Sequence, residues 1–192
     1  MALVLKIFKA GMLPAIALAF MLSLACGRGE AAGKALVVYF SWSGNTEALA
    51  KEIQAQTGAD IFRIETVEPY PEDYNATVDQ GRAEQRANAR PALKQAKIDN
   101  LAEYDTIFIG APNWWSSIPM PVAAFLEAND FSGKTVAQFV THGGGGTANC
   151  DDDLRKLCPG AKFTEVLSIG GSSARSAKGE VTEWLSAIGF TK

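Results

Sequence analysis

The sequence predicts an α/β protein built on a parallel sheet with crossover helices. Two observations predict it. Short apolar runs alternate with helix-period patterns along most of the chain. The runs Ala35–Phe40 and Thr106–Gly110 are continuously apolar, as strands covered on both faces require. The first strand is Ala35–Phe40, and a helical pattern from Thr46 to Thr57 follows, with Leu49 and Ile53 on one face and Gly58 as its stop. The second strand, Asp60–Glu65, mixes Arg63 with Ile61, Phe62 and Ile64, a composition suited to a sheet edge. Thr106–Gly110 is a central third strand. A helix near Pro121–Ala128 leads to a fourth strand at Thr135–Thr141. A fifth strand spans Phe163–Ile169, and a last helix near Ser176–Ile188 spaces Val181, Trp184, Leu185 and Ile188 on one face. The polar stretch Tyr70–Arg90 is too long for a simple loop; Pro71-Glu72-Asp73 resembles a helix start, and a solvated helix or flap over one end of the sheet is expected.

The 192 residues carry 47% hydrophobic and 20% charged side chains, with a net charge of −3. Residues 1–26 hold Lys6 and Lys9 and no acids, so the remainder has 16 basic against 21 acidic residues, a net of −5. That balance, without a basic aromatic cluster, argues against nucleic acid as a partner. Residues 1–25 read as an export leader: a basic start, then the uncharged, largely apolar Ala10–Ala25, shorter than a membrane helix needs. Ser23-Leu24-Ala25 places small residues before a cut at Cys26, which also resembles a bacterial lipoprotein attachment site; an uncleaved anchor is the alternative. Residues 26–33 then form a small-residue linker, residues 34–192 the domain, and the expected location is periplasmic or otherwise extracytoplasmic. An oxidising compartment favours pairing Cys150 with Cys158, but residues eight apart on a helix lie about 12 Å apart, beyond disulfide reach.

Three loops at strand ends carry the chemistry. Ser41-Trp42-Ser43-Gly44-Asn45-Thr46 joins the first strand to its helix, where backbone N–H groups, hydroxyls and a helix dipole can cradle an anion. It contains no Lys or Arg, and neutral donors alone suit a terminal monophosphate; a plain turn with a helix cap would use the same residue types. After the third strand, Pro112-Asn113-Trp114-Trp115 offers flat aromatic faces, unless these rings plug the core or serve a protein contact. After the fourth, Thr141-His142-Gly143-Gly144-Gly145-Gly146 lets backbone approach a ligand closely, or is a flexible turn. In a doubly wound sheet ligands bind at the carboxyl ends of strands. A phosphate cradle, an aromatic wall and a backbone-donor loop there describe a pocket for flavin mononucleotide (FMN).

From Ala35 to about Gly189 the chain resembles the flavodoxin-like proteins. The resemblance rests on Ser41-x-Ser43-Gly44-Asn45-Thr46, on Gly110-Ala111-Pro112-Asn113-Trp114-Trp115 with Pro119 and Phe125-Leu126-Glu127, on Tyr70-Pro71-Glu72-Asp73-Tyr74 with Arg90-Pro91, and on Thr141-His142-Gly143-Gly144-Gly145. It implies a three-layer α/β/α sandwich around a five-stranded parallel sheet of order 2-1-3-4-5. It also implies that Ser41, Trp42, Ser43, Gly44, Asn45 and Thr46 surround the phosphate. Pro112, Asn113, Trp114 and Trp115 would then line the isoalloxazine, and Thr141, His142, Gly143, Gly144, Gly145 and Gly146 its pyrimidine edge. Many flavodoxins carry a Gly beside flavin N5, where a peptide flip stabilises the one-electron-reduced flavin. Here Asn113 stands at that place.

The functions that follow are exported electron transfer between redox partners, two-electron reduction of a small quinone-like acceptor, or a binding module without redox chemistry. Contact with a membrane is expected only through the leader or a lipid on Cys26. A nicotinamide donor has no second dinucleotide signature here and is not expected outside the cytoplasm. A receiver domain would need carboxylates where Phe40-Ser41 and Pro112-Asn113 stand. His142 is the only histidine, which leaves no metal pair and no base triad. Asp151-Asp152-Asp153 complement a helix N-terminus rather than bind metal. Tyr74 is a candidate cap on the open flavin face, or a surface aromatic. Asn75-Ala76-Thr77 is a glycosylation sequon with meaning only in a eukaryotic secretory pathway.

Overall fold

The computed structural model describes residues 33–190. The export leader, Cys26 and the linker as far as residue 32 lie outside the described residues.

Strands β1 (Ala35–Tyr39), β2 (Asp60–Arg63), β3 (Thr106–Pro112), β4 (Thr135–His142) and β5 (Lys162–Phe163) form a parallel sheet of order β2-β1-β3-β4-β5. This is the expected order, with β2 at the edge. Helices α1 (Asn45–Thr57) and α5 (Lys178–Ala187) cover one face; α3 (Met120–Ala128) and α4 (Cys150–Leu157) cover the other. Period-two alternation sorts each strand between them. Val37, Tyr39, Phe108, Ala137 and Phe139 meet Leu49, Ile53, Val181 and Leu185, whereas Val38, Ile107, Ile109, Val136 and Val140 meet Val122, Phe125, Leu126 and Leu154. The polar stretch after β2 contains a largely solvated helix, α2 (Tyr74–Arg86), whose buried residues are Thr77 and Gly81. Asp73 caps it, its Oδ1 accepting from the Ala76 N–H at 2.8 Å. Arg90 closes the other end by donating to the Asn88 and Ala89 carbonyls and to Glu127 of α3.

The fifth strand departs from the expected Phe163–Ile169. It is two pieces, β5 and β6 (Leu167–Gly170), both paired with β4. Val136 faces Phe163 and Phe139 faces Leu167, so three residues oppose two and one is bulged out. Trp184 of α5 donates its indole N–H to the Glu165 carbonyl freed by the bulge, at 2.9 Å. The last helix also starts later than expected, because a 3-10 segment, Gly171–Ser176, intervenes.

Cys150 and Cys158 are both buried and free, one at each end of α4, in keeping with the helical spacing. Burial pushes both thiols up to about 12, and burial also raises Tyr39 and Tyr70. A raised folded-state value means that stability is fully present below the ordinary thiol range and is lost as pH climbs toward about 12. The denaturant midpoint is therefore expected to hold steady from neutral pH to the ordinary thiol range and to fall above it. A flat midpoint across the alkaline range would contradict this.

Gly110 is tightly enclosed within the sheet. A Cβ there would lie 2.1 Å from the Phe139 ring, which crosses β3 from the neighbouring strand. Gly110→Ala is expected to cost about 2–3 kcal/mol through displacement of that ring, read as a lower urea midpoint at unchanged slope.

Candidate functional site

β1, β3 and β4 end in step, so the loops after them emerge at one edge. Tyr39 pairs with Gly110, Gly110 with Phe139, and Pro112 with Thr141. Three hydrogen bonds lock these loops together. Thr46 Oγ1 and Thr141 Oγ1 lie 2.8 Å apart in a buried contact that joins α1 to β4. Asn113 donates its backbone N–H to the Thr141 carbonyl and its Nδ2 to the Gly146 carbonyl, each at 2.8 Å.

The first loop makes a tight turn into the start of α1. Ser41 is buried, and its Oγ accepts from the Gly44 N–H at 3.1 Å, which draws the loop into a tight turn. Gly44 is the N-cap of α1 with φ +84°, a conformation that glycine adopts without strain. Having no side chain, it leaves the first-turn N–H groups of Asn45, Thr46 and Glu47 without a side-chain cap. Ser43 is exposed at the rim. Glu47 is the one acid in this turn, and it is occupied by Lys51 at 2.6 Å and Arg63 at 3.5 Å, which hold its carboxyl below the usual range.

The second loop is strained. Trp114 and Ser117 exchange N–H···O=C bonds at 2.9 and 3.0 Å around Trp115 and Ser116, whose φ values are +54° and +65°. Two positive φ values between paired residues are the sign pattern of a type I′ turn, which ordinarily takes Asn-Gly. The neighbours over-determine it. Trp115 Nε1 donates to the Val78 carbonyl of α2 at 3.0 Å, Gln85 Nε2 donates to the Trp115 carbonyl, Arg82 sits over the indole, and the Asn149 N–H binds the Ser116 carbonyl.

The two tryptophans divide the roles that the sequence left open. Trp114 packs edge-on against Phe40 and Tyr70 and touches the backbone of α2 at Gly81, so its ring belongs to the core. Trp115 is 41% exposed and keeps one face outward. Trp42 donates its indole N–H to the Pro71 carbonyl, which also accepts from Thr77 Oγ1. That carbonyl fastens the start of α2 to the first loop. Tyr74 is 66% exposed and leans on Trp42 with ring centroids 6.1 Å apart. Pro112 ends β3 half-buried.

In the third loop, His142 Nδ1 accepts from the Gly144 N–H at 3.1 Å. Gly143, Gly144 and Gly145 are exposed and Gly146 half-buried; a Cβ at Gly143, Gly144 or Gly146 would meet no atom within 4 Å, so open space lies beside this backbone. Asp151, Asp152 and Asp153 all stand in the first turn of α4, as expected. Asp153 also accepts from Ser117 Oγ at 2.7 Å, tying that helix to the second loop. No group of three or more metal-ligating side chains occurs among the described residues.

Sequence reasoning missed a fourth loop, the 3-10 segment Gly171–Ser176 after β6. A Cβ on Gly171 would stand 2.7 Å from Asn45 Nδ2 and 3.6 Å from the His142 carbonyl. Arg175 Nη2 lies 3.5 Å from where a Cβ of Gly44 would be. The signal was present in Gly170-Gly171-Ser172-Ser173, a second small, hydroxyl-rich stretch directly after a strand.

This is a doubly wound α/β protein whose carboxyl-end loops converge on an uncapped helix N-terminus, a place where such folds commonly take anionic ligands. Residues 34–188 match the flavodoxin family, and the chain belongs to it. It is 31% identical over 115 residues to a Caulobacter vibrioides NAD(P)H dehydrogenase (quinone), covering 57% of this chain and 52% of that protein. The chain thus spans about half the length of such curated relatives. Among solved structures it is similar to a candidate flavoprotein of Bacteroides eggerthii, with TM-score 0.71, 32% identity and coverage of 81% of this chain and 98% of the other. A Lactobacillus acidophilus flavoprotein in complex with FMN shares the fold at TM-score 0.61 and 24% identity, covering 80% of this chain and 99% of the other.

The positive-φ serine gives a direct test of the strained turn. Ser116→Gly keeps every backbone hydrogen bond and removes the left-handed penalty. A gain of about 0.5–1 kcal/mol is expected, seen as a melting temperature about 1–4 °C higher.

Proposed function

We propose that this protein binds FMN at the carboxyl edge of its sheet and reduces a small quinone-type acceptor by two electrons. Bound FMN supplies a ring that takes up and releases an electron pair. The residues fit that group: neutral donors and an uncapped helix for a monophosphate, open space beside the glycine backbone, and an outward indole face at Trp115. By this reading Ser41, Ser43, Gly44, Asn45 and Thr46 hold the phosphate, Asn113 and Trp115 bound the ring, and Gly143–Gly146 meet its polar edge.

The observation that carries the two-electron reading is the hydrogen bonding that holds the second loop. Asn113 is bound through both its backbone N–H and its side chain, and the reversal beyond it is pinned to α2. A peptide held in this way resists the flip by which many flavodoxins favour single-electron reduction. The name of the Caulobacter relative, which pairs a nicotinamide donor with a quinone acceptor, agrees on the acceptor. The leader-like residues 1–25 make an extracytoplasmic redox protein the more natural donor. Exported single-electron transfer is the second reading, favoured by the outward Trp115 and Tyr74, which give a partner protein an aromatic landing rim.

Titration of the purified protein with FMN is expected to quench flavin fluorescence at one flavin per chain. Photoreduced protein should then be reoxidised by a water-soluble benzoquinone at one quinone per flavin. Absence of FMN binding by folded protein would overturn both readings. Two well-separated one-electron potentials with slow quinone turnover would leave the electron carrier.

A further inference from the structure

The cradle inferred from the sequence contains no cation, yet a phosphate monoester carries close to two negative charges at neutral pH. The tertiary structure brings one to it. Arg175 is carried on the 3-10 segment after β6, far from the first loop in sequence, and its Nη2 lies 3.5 Å from the Cβ position of Gly44. It lines a cleft of about 400 Å³ with Gly44, Glu47, Lys51 and Lys178, immediately behind the start of α1. Two carboxylates share the cleft: Glu47 is already paired with Lys51 and Arg63, and Glu52 accepts from Gln56 Nε2 at 2.8 Å. Among the described residues Arg175 enters no ion pair, so its guanidinium keeps its donors free. Gly171 of the same segment is pressed against Asn45, which leaves the segment little freedom to carry the guanidinium away.

We propose that Arg175 is a phosphate-anchoring residue of the flavin site, supplying from the loop after β6 the positive charge that the hydroxyl loop lacks. The proposal rests on the FMN reading above. It assigns the site a preference for the phosphorylated flavin over riboflavin that is electrostatic as well as hydrogen-bonded. A guanidinium beside an exposed phosphate acts through a charge-assisted pair that salt weakens.

The test compares FMN and riboflavin binding in the wild type, Arg175→Ala and Arg175→Lys, by fluorescence quenching at low and high ionic strength. Arg175→Ala is expected to weaken FMN binding about tenfold at low salt and to leave riboflavin binding unchanged. Arg175→Lys should recover part of the loss, and the salt dependence of FMN binding should be shallower in Arg175→Ala than in the wild type. FMN affinity within twofold of wild type in Arg175→Ala would overturn the proposal while leaving the FMN reading intact. An equal loss for riboflavin would also overturn it, by showing a general disturbance of the site. A folded wild type that binds neither flavin would overturn both.

Discussion

The site depends on three parallel strands ending in step. Parallel pairing carries β1, β3 and β4 toward one edge, and their register sets how far each loop begins from it. Gly110 makes that register possible, because the ring of Phe139 occupies the volume that any side chain at this position would need. Once Pro112 stands opposite Thr141, the Asn113 N–H meets the Thr141 carbonyl and the Thr141 hydroxyl meets Thr46. Both hydroxyls of that pair are buried, so separating them would leave unpaired polar groups at a cost of about 1–3 kcal/mol. The edge is held as one piece by its own polar groups.

Helix α2 contributes differently. It adds little to the apolar core, having only Thr77 and Gly81 buried. Its role is to fasten loops: Pro71, just before it, takes the Trp42 indole, Val78 takes the Trp115 indole, and Gly81 admits the edge of Trp114. These contacts pay for the left-handed Trp115 and Ser116. A turn strained by a few kcal/mol persists only where its surroundings leave it no alternative, and here the Val78 carbonyl, the Gln85 amide and the Arg82 guanidinium of α2 supply that constraint. The outward face of Trp115 follows from the strain, since the reversal directs the second tryptophan away from the core that the first one fills.

Charge at the site is arranged in layers. The innermost groups are neutral N–H and O–H donors. Glu47, which would oppose an anion, is matched by Lys51 and Arg63 at 2.6 and 3.5 Å. Among the described residues Arg175 forms no ion pair, and the cleft it lines sets Lys51, Arg175 and Lys178 against Glu47 and Glu52, so the balance there is positive although the chain as a whole is acidic. Overall charge therefore says little about what this edge attracts.

The sequence by itself determined the class of fold, the edge position of β2, a solvated helix or flap within Tyr70–Arg90 and the three loops that meet. Each has a local cause: continuous apolar runs, an interrupting Arg63, Asp73 as a cap, and glycine or hydroxyl residues directly after strands. The bulge between β5 and β6 was not legible, because Phe163–Ile169 reads as one strand and only pairing with β4 and the Trp184 indole displaces a residue. Nor was the division between Trp114 and Trp115, since adjacent identical residues carry no sign of which one the core admits. Arg175 was hidden for a simpler reason. Its closeness to Gly44 is created by the crossover that returns α5 beside α1, and a contact between loops so far apart in the chain has no local pattern to betray it.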